Sequence, residues 1–487
     1  MLNACVLGPP RDISDGTDPW DECVEPVTAD GQSAEEHRFW GKNGIQASVS
    51  EEIPTVVIVD WEPLGEGVHS VLFRENAGTT MRADGRARDV GEGESKGTSM
   101  RTLLLGLHQQ AEITFRVAIE TEDELWCSSP QAVTTGTLPG LIPNFSVDLI
   151  EPDEVAEGYS LVPFSDLLAS DSEDGGTLIV DSEGEPVWAH PGGTIRSRIS
   201  LDHRSVLTMT NSCYPDHASS IRRIPLDGKA ADIEQLDIFG AHGDFAQISN
   251  DTFATFGWDV REFEDGTRTL AGDTIIEVTT DGEVVEIWNV YDALDPDLGQ
   301  IHGGCAADAP ENWSHLNYLH YAREEDAYYV ASRGTNAIFR VDRATGETTW
   351  MLAAYSDVGL FGDFAAPEGE AISFMPHSVL PTENGILIFD TGATDETNTD
   401  GCSAMVEYAL DTEAWTAELL WRYTTEDCVY TEFWGNAEAL DNDNRMIVLG
   451  TAGQIDEVTA DQTLVWRMFA PTGITFGYVS RVGSLYP

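Results

Sequence analysis

Three histidines, an asparagine and an arginine stand at comparable places in consecutive segments of this chain, and together they could bind an anion and transfer a group. His315 and Asn317 lie two residues apart in NWSHLNYLHY, so the alternation of a strand predicts that both side chains share one face. A turn at residues 323–326, followed by the strand AYYVASR, would place Arg333 beside His315. We therefore expect one hairpin to present His315, Asn317 and Arg333 together.

Two other segments carry a histidine in the equivalent place. His377 precedes a predicted turn at residues 383–385 in PHSVLPTENGILIFDTG, and His242 precedes one at residues 250–251 in AHGDFAQISNDTFATFGWD. A single histidine before a turn is more often a structural residue. Three in register, accompanied by an asparagine and an arginine, favour a functional site.

These residue types favour chemistry on a small anion. The Arg333 guanidinium is a planar fork of donors for sulfate, phosphate or carboxylate, Asn317 adds a neutral donor, and a neutral imidazole is a capable nucleophile near pH ~7. Three histidines could instead bind zinc or copper, but such a site more often includes a carboxylate or thiolate and needs no arginine. Transfer of a sulfuryl or phosphoryl group through histidine is the better interpretation, with no metal or cofactor expected.

A repeat predicts the elements that would position these residues. A short strand, a turn rich in Asp and Gly, and a closing aromatic recur six times, at intervals of about 45 to 70 residues, which suits one four-stranded sheet each. We therefore predict an all-β protein in which residues 148–487 form a six-bladed β-propeller, with the site at one end of its channel and the closing tryptophans packed between sheets. The closing aromatics are Trp188, Phe239, Trp288, Trp350, Trp421 and Trp466.

The residues before the repeat have a different pattern. Residues 1–44 are acidic and read as a tether, residues 45–136 contain short alternating strands typical of a small β-sandwich, and residues 137–147 have the Gly and Pro of a linker. The run LLLGLHQQAEITFRVAI, with Trp61 on an earlier strand, resembles a fibronectin type III module.

Charge and hydropathy limit the partners. The 85 acidic and 26 basic residues give a net charge of −59, which would repel nucleic acid and anionic membranes and favours solubility in saline surroundings. No apolar run reaches the ~20 residues that a transmembrane helix needs.

The cysteines predict an exported protein, in the periplasm or at the cell surface. Residues 2–5 resemble the end of a bacterial lipoprotein signal, which would make Cys5 a lipid anchor; an ordinary cysteine in the terminus is the alternative. The six others have no metal-site spacing, so we expect disulfides, for which an oxidising compartment is needed. The favoured pairs are Cys23 with Cys127, Cys213 with Cys305, and Cys402 with Cys428.

Several of these segments together resemble the bacterial aryl-sulfate sulfotransferase family. The resemblance rests on NWSHLNYLHY with YVASRG, on PHSVLP with NGILIFDTG, on HGDF, and on the closing YVSRVGSLYP, and it spans residues 140–487. It implies an exported six-bladed propeller after an N-terminal β-sandwich. It also implies transfer of a sulfuryl group from a phenolic sulfate ester to a phenol, without a nucleotide donor, through a sulfated histidine.

Carried over by motif, the resemblance makes His377 the nucleophile. It makes His315, Asn317 and Arg333 the groups that hold the sulfuryl oxygens, and His242 a further donor or proton shuttle. Family members commonly have two adjacent histidines before the Asp of HGDF, where this chain has Ala241, His242 and Gly243. The role of His242 therefore depends on a shift of one residue.

The sequence is also compatible with two other functions. VDRATGETTW resembles the tryptophan-docking repeat of quinone-dependent dehydrogenases, and a non-catalytic surface propeller could bind sulfated ligands through the same pocket. The identities of the donor and acceptor and the oligomeric state are not encoded in any motif.

Overall fold

In the computed structural model the chain forms two compact units, Met1–Leu138 and Pro139–Pro487. Nearly all regular structure is β-strand, and the described residues contain one α-helix, α1 (Val290–Ala293). No helix among them is both long and apolar enough to cross a bilayer. The structure describes residues 18–24, 44–62, 67–89, 98–122, 124–139, 142–166, 175–192, 194–210, 214–262, 269–294, 296, 311–353, 362–364, 375–383, 385–392 and 401–487.

The first unit contains two antiparallel sheets, with strand orders β1-β2-β6-β5 and β4-β3-β7-β8, and β9 also pairs with β7. Alternating side chains bury Trp61, Phe73 and Phe115 completely, which is what a sheet with one covered face requires. The strands are β1 (Gln46–Val49), β2 (Val57–Trp61), β3 (Val68–Glu75), β4 (Met81–Asp84), β5 (Arg86–Asp89), β6 (Thr98–Leu104), β7 (Glu112–Glu120), β8 (Leu125–Cys127) and β9 (Gln131–Thr134).

Part of the predicted tether is attached to this unit. The predicted disulfide between Cys23 and Cys127 is present, and Val24 forms a bridge with Trp126. The disulfide between Cys402 and Cys428 in the second unit is confirmed as well. Cys5, Cys213 and Cys305 lie outside the described residues, so the lipid anchor and the third disulfide stay predictions.

The second unit contains the remaining strands. They are β10 (Ser146–Leu149), β11 (Tyr159–Asp166), β12 (Gly175–Val180), β13 (Pro186–Pro191), β14 (Arg196–Ile199), β15 (Ser205–Thr210), β16 (Ala218–Pro225), β17 (Glu234–Phe239), β18 (Ala241–Ser249), β19 (Thr252–Glu262), β20 (Thr269–Thr279), β21 (Val284–Asn289), β22 (Glu311–Asn312), β23 (Leu316–Ala322), β24 (Ala327–Ser332), β25 (Ala337–Asp342), β26 (Thr348–Ala353), β27 (Ser378–Thr382), β28 (Gly385–Asp390), β29 (Ala404–Asp411), β30 (Thr416–Thr424), β31 (Asn436–Ala439), β32 (Arg445–Leu449), β33 (Gln454–Val458), β34 (Leu464–Phe469), β35 (Ile474–Phe476) and β36 (Ser480–Val482).

The described strands of this unit form six sheets, numbered here in chain order. Their strand orders are β13-β12-β11-β35 in the first, β14-β15-β16-β17 in the second, β18-β19-β20-β21 in the third, β23-β24-β25-β26 in the fourth, β27-β28-β29-β30 in the fifth and β10-β34-β33-β32-β31 in the sixth. Strands of the third to sixth sheets contact one another in succession: β18 contacts β23, β23 contacts β27, and β27 contacts β31. Of the predicted site residues, His242 lies on β18, His315 lies directly before β23 and Asn317 on it, and His377 lies directly before β27.

Strands from both ends of the unit complete the first and sixth sheets. The early strand β10 pairs with β34 in the sixth sheet, whereas the late strands β35 and β36 pair with β11 in the first. Asn436 and Val479 exchange two hydrogen bonds, of 2.8 and 3.1 Å, which join the sixth sheet to the C-terminal segment of the first. β10 begins at Ser146, inside the segment predicted as a linker.

Three of the closing tryptophans link their own sheet to the next one. The indole N–H groups of Trp188, Trp288 and Trp421 donate to Leu226 O, Thr348 Oγ1 and Ala460 O respectively, at 2.8 to 2.9 Å. The strands that carry these three tryptophans therefore pack against the following sheet, as predicted. Phe239 differs, because 76% of its surface is exposed.

Candidate functional site

His377 lies directly before β27, buried with 3% of its surface exposed. Its Nδ1 lies 3.0 Å from the carbonyl oxygen of Met375 and 3.1 Å from Thr391 Oγ1. A carbonyl oxygen can only accept, so Nδ1 carries the ring hydrogen and donates it to this pair. The lone pair of the neutral ring is then on Nε2, the nitrogen on the opposite side.

Burial, and to a smaller extent the positive charges of Arg333 and Arg196, lower the pKa of His377 to about 3, against the raising effect of the hydrogen bond with the Met375 carbonyl. The ring is therefore neutral at pH ~7, the state in which an imidazole is a nucleophile. The two arginines that act on it come from different sheets: Arg196 begins β14, and Arg333 follows β24.

Two asparagines hold the residues that precede His377. Asn317 Nδ2 donates to Pro376 O at 3.1 Å, and the Met375 N–H donates to Asn336 Oδ1 at 2.9 Å. Asn317 is the extra residue of a β-bulge, because Leu316 pairs with Ser332 while Tyr318 pairs with Ala331. The bulge turns the Asn317 side chain towards the fifth sheet.

His315 and Arg333 stand opposite each other, as the predicted hairpin requires. The turn occupies residues 323–326, and the Arg333 N–H donates to His315 O at 3.0 Å. The prediction that His315 and Asn317 share one strand face is wrong, however, because β23 begins at Leu316. His315 itself has a φ of 44° and its N–H donates to Asn312 Oδ1. A left-handed residue does not continue the alternation of the strand that follows it.

The Arg333 side chain is 11% exposed and is directed towards the loop before the sixth sheet. One guanidinium nitrogen lies 3.9 Å from a carboxylate oxygen of Glu432, and the guanidinium carbon is 5.1 Å from the centre of the Phe433 ring. The partial neutralisation by Glu432 is weak at this distance, so Arg333 still lowers the pKa of His377.

His242 lies on β18 and is buried against Asp273. Its Nε2 is 2.8 Å from Asp273 Oδ1, and its ring stacks on Trp258 with 3.8 Å between the centroids. The other oxygen of Asp273 accepts hydrogen bonds from the Leu316 N–H, at 2.8 Å, and from Ser314 Oγ. Asp273 therefore connects His242 to Ser314 and Leu316, the residues on either side of His315.

Gly243, where a second histidine would be expected from the resemblance, has a φ of 76° and follows His242 in a β-bulge. A Cβ added there would come within 2.8 Å of the Phe256 ring. Glycine suits this backbone and a larger residue would strain it. In this chain the buried histidine of the segment is His242.

Asn317 thus contacts the residue before His377, and the charge of Arg333 acts on the His377 ring. His242 is linked through Asp273 to Ser314 and Leu316, the two neighbours of His315. Sequence reasoning missed Thr391, Asn336, Arg196 and Asp273. Thr391 stands in the motif NGILIFDTG, but the other three carry no local signal. Within the described part of the chain, no three His, Cys, Asp or Glu side chains are grouped as metal ligands would be.

Similar solved structures are distant. A Bacteroides caccae protein of unknown function has a TM-score of 0.38 and 14% identity, covering 68% of this chain and 100% of its own. A streptogramin B lyase has a TM-score of 0.36 and 11% identity, covering 69% and 98%. The Kuenenia stuttgartiensis hydrazine synthase has a TM-score of 0.31 and 14% identity, covering 65% and 80%. Likeness at this level carries no functional argument.

No curated protein matches the chain significantly. The family model described as Arylsulfotransferase (ASST) matches residues 135–468, which is well over half of the sequence. The chain belongs to the arylsulfotransferase family.

Proposed function

We propose that the protein transfers a sulfuryl group from a phenolic sulfate ester to an acceptor phenol through a sulfohistidine at His377, without a nucleotide donor. Membership of the arylsulfotransferase family supports aryl sulfotransfer in general. The observation that carries the histidine mechanism is the buried neutral ring of His377, whose Nδ1 donates to Met375 O.

In the first step Nε2 of His377 attacks sulfur, the N–S bond forms, and the S–O ester bond breaks so that its electron pair leaves with the phenolate. The ring becomes cationic, and its Nδ1–H bonds to Met375 O and Thr391 Oγ1 strengthen. Arg333, His315 and Asn317 hold the sulfuryl oxygens and offset the charge that develops on them.

In the second step the oxygen of the acceptor phenol attacks sulfur, and the N–S pair returns to Nε2 of His377. The phenol proton goes to Nδ1 of His242, whose Nε2 lies 2.8 Å from a carboxylate oxygen of Asp273. The low pKa of His377 helps here, because a weakly basic imidazole is a good leaving group.

We also propose that the six sheets are the blades of one β-propeller and that the first unit is a fibronectin type III-like sandwich. The successive contacts of β18, β23, β27 and β31 and the pairing of β10, β35 and β36 support a closed ring. The two disulfides support an exported protein.

The decisive variant is His377→Ala, assayed with 4-nitrophenyl sulfate and a panel of phenols. We expect it to release no 4-nitrophenol while its circular dichroism stays native, and we expect His217→Ala, at an exposed histidine, to behave as wild type. Intact-mass analysis of wild type incubated with donor alone should show an adduct of about 80 Da, one SO3 group, that His377→Ala lacks.

Full activity of His377→Ala would reject the histidine mechanism. Tight binding of the sulfate ester by wild type without any release of 4-nitrophenol would instead favour a non-catalytic binding propeller.

A further inference from the structure

Arg196 is a buried cation that reaches from the second sheet into the fourth. Only 3% of its surface is exposed, and its Nη2 donates to the backbone carbonyl of Asn317. Its guanidinium lies over the ring of Tyr478, which comes from the C-terminal segment. A charge buried to this degree has lost its contact with water, so other groups of the protein must compensate it.

The compensating charge is Asp244 on β18, which is fully buried. Asp244 Oδ1 forms an ion pair with Arg196, 3.1 Å from its Nε, and the Asp244 oxygens accept hydrogen bonds from Arg198 Nη2 at 3.2 Å and from the Leu319 N–H at 3.0 Å. One carboxylate therefore ties two arginines of the second sheet to the backbone of β23.

The carbonyl that Arg196 binds belongs to the bulge. Asn317 has no partner residue in the ladder between β23 and β24, so its carbonyl needs another donor, and Arg196 supplies it. The side chain of the same residue donates to Pro376 O, one residue before His377. A continuous series of hydrogen bonds therefore runs from Arg196 through Asn317 to the segment that carries the nucleophile.

We propose that Arg196 is a positioning residue for sulfuryl transfer: by binding the Asn317 carbonyl it fixes the bulge, and through the bulge it sets the place of His377. The proposal rests on the proposed function of His377. Arg196 contacts Asn317 and Asp244, and it positions His377 through Asn317, in addition to lowering the pKa of that ring by its charge.

The test compares Arg196→Gln with a matched control, Arg481→Gln. Arg481, on β36, also has a buried side chain that binds a backbone carbonyl, Ala156 O, and a carboxylate, Glu457, but these lie before β11 and on β33, away from the residues that hold His377. We expect Arg196→Gln to lower kcat about 100-fold with KM changed less than about 3-fold, since small misplacements of a reacting group have effects of that order. Arg481→Gln should lose comparable stability and keep its kcat within about 3-fold.

A second readout does not depend on activity. In NMR spectra of protein labelled with 15N-histidine, the His377 ring signals are assigned as those that disappear in His377→Gln. Their chemical shifts report which ring nitrogen is protonated. Arg196→Gln should change these shifts, Arg196→Lys should change them less and lower kcat about 10-fold, and Arg481→Gln should leave them as in wild type.

Wild-type kcat and wild-type His377 shifts in Arg196→Gln would overturn the proposal, and so would equal losses of kcat in Arg196→Gln and Arg481→Gln. If Arg196→Gln does not fold, the kcat and shifts of Arg196→Lys decide in the same way. If wild type transfers no sulfuryl group at all, the proposed function fails, while the His377 shifts still decide whether Arg196 positions the ring.

Discussion

At the scale of single residues, the chemistry depends on how His377 is kept neutral and oriented. Burial alone would make the ring neutral, but it would leave either nitrogen free to carry the hydrogen. The Met375 carbonyl and Thr391 remove that choice by accepting from Nδ1. Orientation and protonation of the nucleophile thus come from the same contacts.

The same burial makes stability depend on pH. The folded-state pKa of His377, about 3, lies below its ordinary value of 6.5, so the unfolded chain binds the proton first as the pH falls. Stability that is present above pH 6.5 is therefore lost between pH 6.5 and 3, at up to about 1.4 kcal/mol per pH unit for this group. His377→Gln lacks the group, so its free energy of unfolding in urea should fall less steeply over this window. Equal slopes in wild type and variant would contradict the depressed pKa.

At the scale of elements, the site is built where one sheet departs from regular pairing and the next sheet begins. The bulge at Asn317 and the left-handed His315 occur at the start of β23, and Met375 and Pro376, before β27, are held by asparagine side chains. The loops of the fifth sheet continue this support: Ser403 Oγ donates to Thr391 O at 2.8 Å, and Ser403 follows the disulfide cysteine Cys402.

Removing that disulfide should therefore affect both stability and catalysis. Cys402→Ser with Cys428→Ser opens a loop of 26 residues, which should cost roughly 3 kcal/mol, and should lower kcat because Thr391 loses part of its support. The matched control, Cys23→Ser with Cys127→Ser, lies in the other unit and should lower stability with kcat unchanged. Chemical denaturation and steady-state kinetics on both pairs check this; a lower kcat in the control alone would contradict it.

At the scale of the whole molecule, the net charge of −59 opposes compaction. Repulsion among so many carboxylates is a long-range term, and the Debye length falls from ~10 Å in 0.1 M salt to ~3 Å in 1 M salt. Buried carboxylates such as Asp244 lie beside arginines, which balance their charge. We therefore attribute the repulsion to the exposed surface.

Thermal stability should therefore rise with salt. We expect Tm to increase by at least ~5 °C between 0.01 and ~0.3 M NaCl, a range in which screening changes most. Sucrose at the same osmolarity separates screening from solute exclusion and should shift Tm much less. A Tm that is independent of NaCl would contradict the role given to surface repulsion.

Several features followed from the sequence because they depend on local pattern. Alternating strands, the turn at residues 323–326 and the closing tryptophans are encoded within a few residues, so the pairing of His315 with Arg333 was predicted to within one position. Two disulfides were predicted correctly, and the match to residues 135–468 agrees with the resemblance read from short motifs.

Only the tertiary structure decided how these residues are held. Arg196 is 121 positions from Asn317 in the chain, and Asp273 is 43 positions from Leu316, so no spacing rule could pair them. The left-handed conformation of His315 and the bulge at Asn317 interrupt the strand alternation on which the prediction relied. Contacts with other sheets stabilise this backbone conformation. The pKa of His377 depends on burial and on charges from two further sheets, and such quantities exist only after the chain has brought distant segments together.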